Sequence, residues 1–200
     1  NRLGLEDHVY LEINSIGNES TRLRYTEDLL KYFEPLKGQL DEDILKKLND
    51  NPLRILDSKS ERIQSLLMAA PKIIDYLDED SEAHFKKLMT LLDSLGVSYD
   101  VNPKLVRGLD YYNKTVFEWK TDNLGAQDTI CAGGRYDNLI EELGAKPCPA
   151  IGFSIGMERL ILLIKETIDN KDLKNQSIDC FFVCFGEKSI LQAMMYAEQI

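Results

Sequence analysis

The sequence predicts an α+β fold in which an antiparallel β-sheet is interrupted by a block of helices. Three observations carry this expectation. Residues 9–13 alternate, with Val9, Leu11 and Ile13 on one side and Tyr10 and Glu12 on the other, the period of a half-buried strand. Residues 20–95 then carry apolar side chains three and four apart in several short runs. Strand-like runs return after residue 96, separated by Gly-, Pro- and Asn-containing turns.

In chain order, Asn14–Asn18 reads as the loop that ends the first strand, and Ser20 as the N-cap of the first helix. Tyr25, Leu29, Tyr32 and Phe33 share a helical face that Pro35 closes. Leu40, Ile44, Leu45 and Leu48 form a second face, and Asn51-Pro52 breaks it. The run 53–58 is too short to classify. Ile63, Leu66, Leu67 and Ala70 form a third face, stopped by Pro71. Ser81 reads as the cap of a fourth helix, with Phe85, Leu88, Leu92 and Leu95 inward and Gly96 as its stop. The charges between these helices read as a solvated face.

Residues 97–101 return to strand. The stretch 105–119 (Leu-Val-Arg-Gly-Leu-Asp-Tyr-Tyr-Asn-Lys-Thr-Val-Phe-Glu-Trp) leads into another, with β-branched and aromatic residues from Thr115 onward. Arg107 offers a rigid fork of donors to a carboxylate or phosphate, and Gly108 gives backbone freedom beside it. The structural alternative is an Arg107–Asp110 ion pair closing a turn. Tyr111 and Tyr112 would point to opposite faces of a regular strand, so both can serve one site only if the chain bends. Residues 121–128 read as a loop, 129–132 as the returning strand and 138–144 as a short helix. In 151–156, Ile151, Phe153 and Ile155 fall on one face and Gly152, Ser154 and Gly156 on the other. That second face carries almost no side chain, so a flat group can approach the backbone. The following helix places Met157, Leu160, Ile161, Ile164 and Ile168 on one stripe, with Arg159 away from it in the first turn. A cation there opposes the helix dipole, which points to a binding role over a surface pair with Glu158. Residues 170–177 form a polar linker, 179–185 an apolar strand and 187 onward a helix, the start of a further domain.

The chain has 200 residues and a formal net charge of −10, which excludes a general nucleic-acid coat. No apolar run is long enough to span a membrane. Four cysteines without a Cys-x-x-Cys pair, and only two histidines, argue against structural zinc and fit free thiols in a reducing cytoplasm. The sequence begins without Met and ends inside a helical pattern, which reads as a piece of a longer polypeptide.

Residues 105–118 resemble the signature of histidyl-tRNA synthetases. Ala132-Gly-Gly-Arg-Tyr-Asp137 resembles their second family-specific motif, and Gly152-Phe-Ser-Ile-Gly-Met-Glu-Arg159 the third motif of class II aminoacyl-tRNA synthetases. Residues 51–59 and 70–77 also resemble the family's helical insertion. The resemblance implies an antiparallel sheet of the class II type, formed by residues 1–19 and 96–169, with a helical insertion over 20–95 and the start of an α/β anticodon-binding domain over 178–200. It implies ATP-dependent activation of histidine to histidyl-adenylate and transfer to tRNA(His), with magnesium accompanying ATP, in a cytoplasmic homodimer. Carried over by position, Arg107 would meet the histidine carboxylate and the α-phosphate, and Tyr111 and Tyr112 would line the histidine pocket. Gly133 and Gly134 would let the backbone close on the amino acid. Arg159 would stack on adenine and reach the γ-phosphate, over a floor made by Gly152 and Gly156. No metal ligands are assigned. Ser154 stands where the class pattern has glycine. The first and second class motifs have no match here, so this chain should hold only part of an active site and should not catalyse alone. The rival within the resemblance is a non-catalytic histidine-binding regulatory subunit, which should have lost the arginine or the tyrosines. A generic nucleotide-binding domain lacks support, because no glycine-rich phosphate loop is present.

Overall fold

Strand β1 (Tyr10–Ser15) lies inside a sheet whose other strands are β2 (Asp100–Val101), β3 (Asn113–Lys120), β4 (Thr129–Arg135) and β5 (Ile151–Ile155), in the order β2-β1-β3-β4-β5. The computed structural model describes residues 3–125 and 128–167 and, beyond them, 181–185, 189, 192, 193 and 196. Between β1 and β2 run α1 (Glu19–Phe33), α2 (Glu42–Asp50), α3 (Glu61–Leu67) and α4 (Glu79–Ser94). Helix α5 (Leu139–Glu142) precedes β5, and α6 (Met157–Thr167) follows it.

The pairs β1–β3, β3–β4 and β4–β5 are antiparallel, as expected, but β2 runs parallel to β1. The expected strand at 97–101 shrinks to two exposed residues. It sits at the sheet edge, where only Glu12↔Asp100 and Ile13↔Val101 pair. Strand β1 extends two residues past its expected end, through Asn14 and Ser15. Both are fully buried, and the Asn14 amide nitrogen donates to the Leu105 carbonyl at 2.9 Å, which offsets part of the cost of burying it, while its Oδ1 has no hydrogen-bond partner.

The register separates two faces. Leu11 pairs with Trp119 and Ile13 with Phe117, and these four meet Phe85, Leu88, Met89 and Leu92 of α4. On the opposite face Asn14 pairs with Val116 and Glu12 with Glu118, and the ladder continues to Gly134 and Ala132, then to Gly152 and Ser154. The helical core built on Tyr25, Leu29, Phe33, Ile44, Leu48 and Ile55 reaches the sheet through Tyr112 and Val116. Burying such a side chain is worth ~1.5–3 kcal/mol, so this contact anchors the block.

Several expected details move. Asn18, not Ser20, caps α1, accepting from the Thr21 N–H at 2.8 Å. Asp78, not Ser81, occupies the N-cap of α4. Ser81 lies in the first turn and donates to Asp78 Oδ2 at 3.3 Å. Gly96 ends α4 with φ +65 as expected, but Leu95 is exposed because the helix has already closed. In α6 the buried position is Leu163, absent from the expected stripe. Leu160 and Ile164 pack with it against Ile130 and Leu5, while Met157 and Ile161 are exposed. The helix presents 160, 163 and 164, spaced as i, i+3 and i+4.

Residues 1–167 form one compact unit and 168–200 a second. In the second, residues 181–185 carry no strand, contrary to expectation. Ser189, Gln192, Ala193 and Tyr196 are helical. The linker 170–177, Cys180 and Ile168 lie outside the described residues. No helix among the described residues is long and apolar enough to cross a membrane.

Candidate active site

The segment 102–112 leaves β2, crosses the end of the sheet and enters β3, bringing Arg107 and both tyrosines to the face that holds Glu12 and Glu118. Arg107 does not pair with Asp110. Its Nη1 donates to Glu118 Oε1 on β3 at 2.7 Å. Glu118 Oε2 accepts from the Thr129 hydroxyl on β4 at 3.0 Å, and the Thr129 carbonyl accepts from Arg159 Nη1 at 2.7 Å. Two arginines far apart in sequence are thereby joined through two residues of adjacent strands. Arg159 makes this bond from the first turn of α6, and among the described residues no ion pair ties it to Glu158.

This chain of bonds borders a cleft of about 570 Å³ lined by Glu12, Glu118, Lys120, Asp128, Thr129 and Arg159 among others. Its electrostatics are mixed. Burial raises the Glu118 carboxyl above its ordinary value, and the Thr129 bond and the charges of Arg107 and Lys120 only partly oppose this. Burial opposes the charged forms of Lys120 and Asp128 too, but their 2.9 Å ion pair, together with Glu12 beside Lys120 and Lys59 beside Asp128, outweighs it. Lys120 is held above and Asp128 below its ordinary value. Arg107 Nε is buried without a hydrogen-bond partner, a donor set for an anionic oxygen.

The tyrosine pair precedes β3 instead of lying in it, and the chain bends there. Lys114 has φ 50, and the two rings lie 4.6 Å apart on one side of the sheet. Arg107 stands 5.7 Å from the centre of the Tyr112 ring, within cation–π range. Tyr136, just past β4, meets both rings edge-on at 5.5 and 5.7 Å. Its segment is clamped: Arg135 Nε donates to both carboxylate oxygens of Asp137 at 2.8 and 2.7 Å, and Asn113 Nδ2 donates to Asp137 Oδ2 at 3.2 Å.

The glycines divide by direction. A β-carbon at Gly134 would meet the Thr115 carbonyl of β3 at 2.6 Å and Tyr112 Cδ1 at 2.9 Å, and one at Gly152 would run into the Tyr136 hydroxyl. These two positions are bare where the aromatic rings stand. A β-carbon at Gly133 would instead strike the Gly152 carbonyl and Phe153 Cβ of the neighbouring strand. One at Gly156 would approach Arg159 Cδ at 3.3 Å. The structure thus gathers Arg107, Tyr111, Tyr112, Gly134, Gly152, Gly156 and Arg159 along one face, while the missing side chain of Gly133 points into the β4–β5 pairing. Ile151, Phe153 and Ile155 are exposed on the reverse face of β5. Gly108 has open space for a β-carbon and does not adopt positive φ, so its expected backbone freedom is not used. Glu118, Thr129 and Tyr136 were not among the expected site residues. Glu118 and Thr129 are ordinary strand residues until the register, with its shift between Trp119 and Lys120, sets Thr129 opposite Lys120 and within reach of Glu118. A tyrosine two residues past paired glycines was the available signal for Tyr136.

A family model described as histidyl-tRNA synthetase matches residues 23–160. A histidine–tRNA ligase of Blochmanniella pennsylvanica is 54% identical over 201 residues, covering 100% of this chain and 46% of that protein. The crystal structure of apo Staphylococcus aureus histidyl-tRNA synthetase superposes with a TM-score of 0.65 at 36% identity, over 99% of this chain and 48% of that one. The chain thus spans about half the length of the curated relatives it matches.

Proposed function

Because the chain belongs to the histidyl-tRNA synthetase family, we propose that it forms part of the active site of a histidine–tRNA ligase. The reaction joins a histidine carboxylate oxygen to the α-phosphorus of ATP, breaks the bond to the bridging oxygen and releases pyrophosphate. A terminal ribose hydroxyl of tRNA(His) then attacks the carbonyl carbon of the mixed anhydride, forming the histidyl ester and releasing AMP. The observation that carries this reading is the Arg107–Glu118–Thr129–Arg159 chain beside a floor of Gly134, Gly152 and Gly156.

Arg107 would serve the two anionic oxygens brought together in the first step, the carboxylate and the α-phosphate. Its unpartnered Nε supports this. Tyr111 and Tyr112 would line the imidazole pocket. A placed partner for a ring nitrogen rejects analogues that lack it by ~10⁴ or more. Gly134 would let the strand close on the amino acid, whereas Gly133, turned into the β4–β5 pairing, would serve the strand contact instead. Arg159 would stack on adenine and reach the γ-phosphate over Gly152 and Gly156. Magnesium would accompany ATP. Among the described residues no group of three or more His, Cys, Asp or Glu is placed to hold a metal, and no residue of this chain is assigned as its ligand. In the complete ligase, residues 20–95 would be a helical insertion and 178–200 the start of an anticodon-binding domain, within a cytoplasmic homodimer. The alternative, a non-catalytic histidine-binding regulatory subunit, expects loss of the arginine or the tyrosine pair, and Arg107, Tyr111, Tyr112 and Arg159 are all present.

Arg107→Ala, tested in a complete ligase polypeptide carrying these residues, should lower histidine-dependent ATP–pyrophosphate exchange by ~10²–10³ with the circular dichroism unchanged. Exchange at the parental rate would overturn the reading.

A further inference from the structure

Beside the apolar packing of Leu105, Val106 and Tyr112 on the helical core, the helical block meets the Arg107 segment through a polar corner at Asn51 and Arg54. Asn51 closes α2, its N–H donating to the Lys47 carbonyl at 2.9 Å, and its own carbonyl accepts from the Arg54 N–H at 3.0 Å. Pro52 starts the 3₁₀ turn 52–55 that fixes where Arg54 projects. From this corner two side chains reach across. Arg54 Nη2 donates to the Gly108 carbonyl at 2.7 Å, and Asn51 Nδ2 donates to Asp110 Oδ1 at 3.1 Å. They hold the residue after Arg107 and the residue three after it.

Asp110 is the carboxylate nearest to Arg107 in sequence, and an Arg-x-x-Asp turn offers an obvious ion pair. Yet Arg107 pairs with Glu118, and Asp110 is turned toward the helical block. Arg22 of α1 also faces it. Burial lowers the Arg22 pKa, and the charge of Asp110 opposes that shift. At the near end of the same segment, Lys104 Nζ donates to Gln64 Oε1 at 2.6 Å.

We propose that Asn51 and Arg54 are positioning residues for Arg107: they keep Asp110 and the Gly108 peptide on the helical block, so that the guanidinium is left to the cleft. This rests on the reading of Arg107 given above. Without Asn51, Asp110 is free to swing toward Arg107 and take its charge. Displacing a reacting group's partner by about an ångström can cost on the order of 10²-fold in rate.

The test uses a complete ligase polypeptide carrying these residues, with pyrophosphate exchange as the readout. Asn51→Ala should lower kcat by on the order of 10- to 100-fold, with KM for histidine and ATP moving less. Asp110→Asn placed in the Asn51→Ala background should restore most of the loss, because the competing carboxylate is gone. Arg54→Ala should lower kcat while Arg54→Lys, which keeps one donor for the Gly108 carbonyl, retains it. Parental rates in both alanine variants would overturn the proposal. So would a loss in Asn51→Ala that Asp110→Asn does not relieve, since a general structural defect would not be suppressed there. Should Asn51→Ala fail to fold, the two Arg54 variants decide: equal kcat in Arg54→Ala and Arg54→Lys then overturns the proposal. If Arg107→Ala itself leaves exchange unchanged, the functional reading fails instead.

Discussion

The Tyr136 hydroxyl occupies the place that a β-carbon at Gly152 would take. Tyr136 therefore stands on β5 at Gly152 and Tyr112 on β4 at Gly134, and Tyr136 meets the rings of both Tyr111 and Tyr112. Two alanine substitutions separate this arrangement from ordinary strand packing. At Gly152 the obstacle is the far end of a side chain, which can shift. Gly152→Ala should keep the fold, with a loss of stability under about 1 kcal/mol, but displace Tyr136 and weaken histidine binding. At Gly133 the obstacle is the backbone of β5. Gly133→Ala should cost about 1–3 kcal/mol in denaturant unfolding. Equal stability losses would contradict the division.

Glu118 gives a pH dependence of opposite sign to most paired carboxylates. Its folded pKa lies above the ordinary 4.5 because burial disfavours the charge. The native state then binds the proton more tightly than the unfolded chain. Its contribution is fully present below the unfolded value and is lost as pH rises through the raised one. Denaturation midpoints measured from pH 4 to 7 should fall more steeply in the parent than in Glu118→Gln. Parallel curves would refute the assignment.

His84 on α4 titrates the other way. Arg135 Nη1 lies 3.1 Å from its Nε2, a contact that requires Nε2 to accept, which leaves the ring proton on Nδ1 toward the Thr115 hydroxyl at 3.5 Å. Burial, Arg135 and Lys114 lower its pKa below 6.5, and Asp80 and Asp137 only partly oppose them. The neutral ring's contribution is present above pH 6.5 and lost as pH falls through the depressed value. The thermal midpoint should drop between pH 7.5 and 5 by more in the parent than in His84→Gln.

Tyr25 is fully buried at an edge-on 5.4 Å from Tyr76, and its hydroxyl has no hydrogen-bond partner. Folding must strip water from that hydroxyl without replacing it. Tyr25→Phe should be neutral or stabilising by up to about 1 kcal/mol, read as a rise in denaturation midpoint. A loss above that would reveal a partner.

What the sequence could and could not disclose follows from range. The face of α1, the stop at Gly96 and the bare parity of Gly152, Ser154 and Gly156 are local properties, visible from spacing alone, whereas the apolar run of α6 left its buried side at Leu163 open. Cap assignment failed at Ser20 and Ser81 because several neighbouring polar residues could each cap, and backbone geometry chose Asn18 and Asp78. The pairing of Tyr111 with Tyr112 depended on the turn over 108–111 and on the positive φ of Lys114, the second residue of β3, which residue type alone did not fix. Glu118 beside Thr129 is a matter of register between two strands, so it stayed invisible until β3 and β4 were aligned.

The lone parallel pair, Glu12↔Asp100 and Ile13↔Val101, has an architectural consequence. The polypeptide departs from β1 and comes back to the strand next to it, so the excursion over α1–α4 begins and ends at neighbouring points. Closure entropy grows only with the logarithm of loop length, and replacing the excursion by a link of about ten residues would alter it by about 2 kcal/mol. Closure is therefore nearly indifferent to how long that excursion is. What the sheet needs from it is contact: α4 over Leu11, Ile13, Phe117 and Trp119, and the helical core on Tyr112 and Val116.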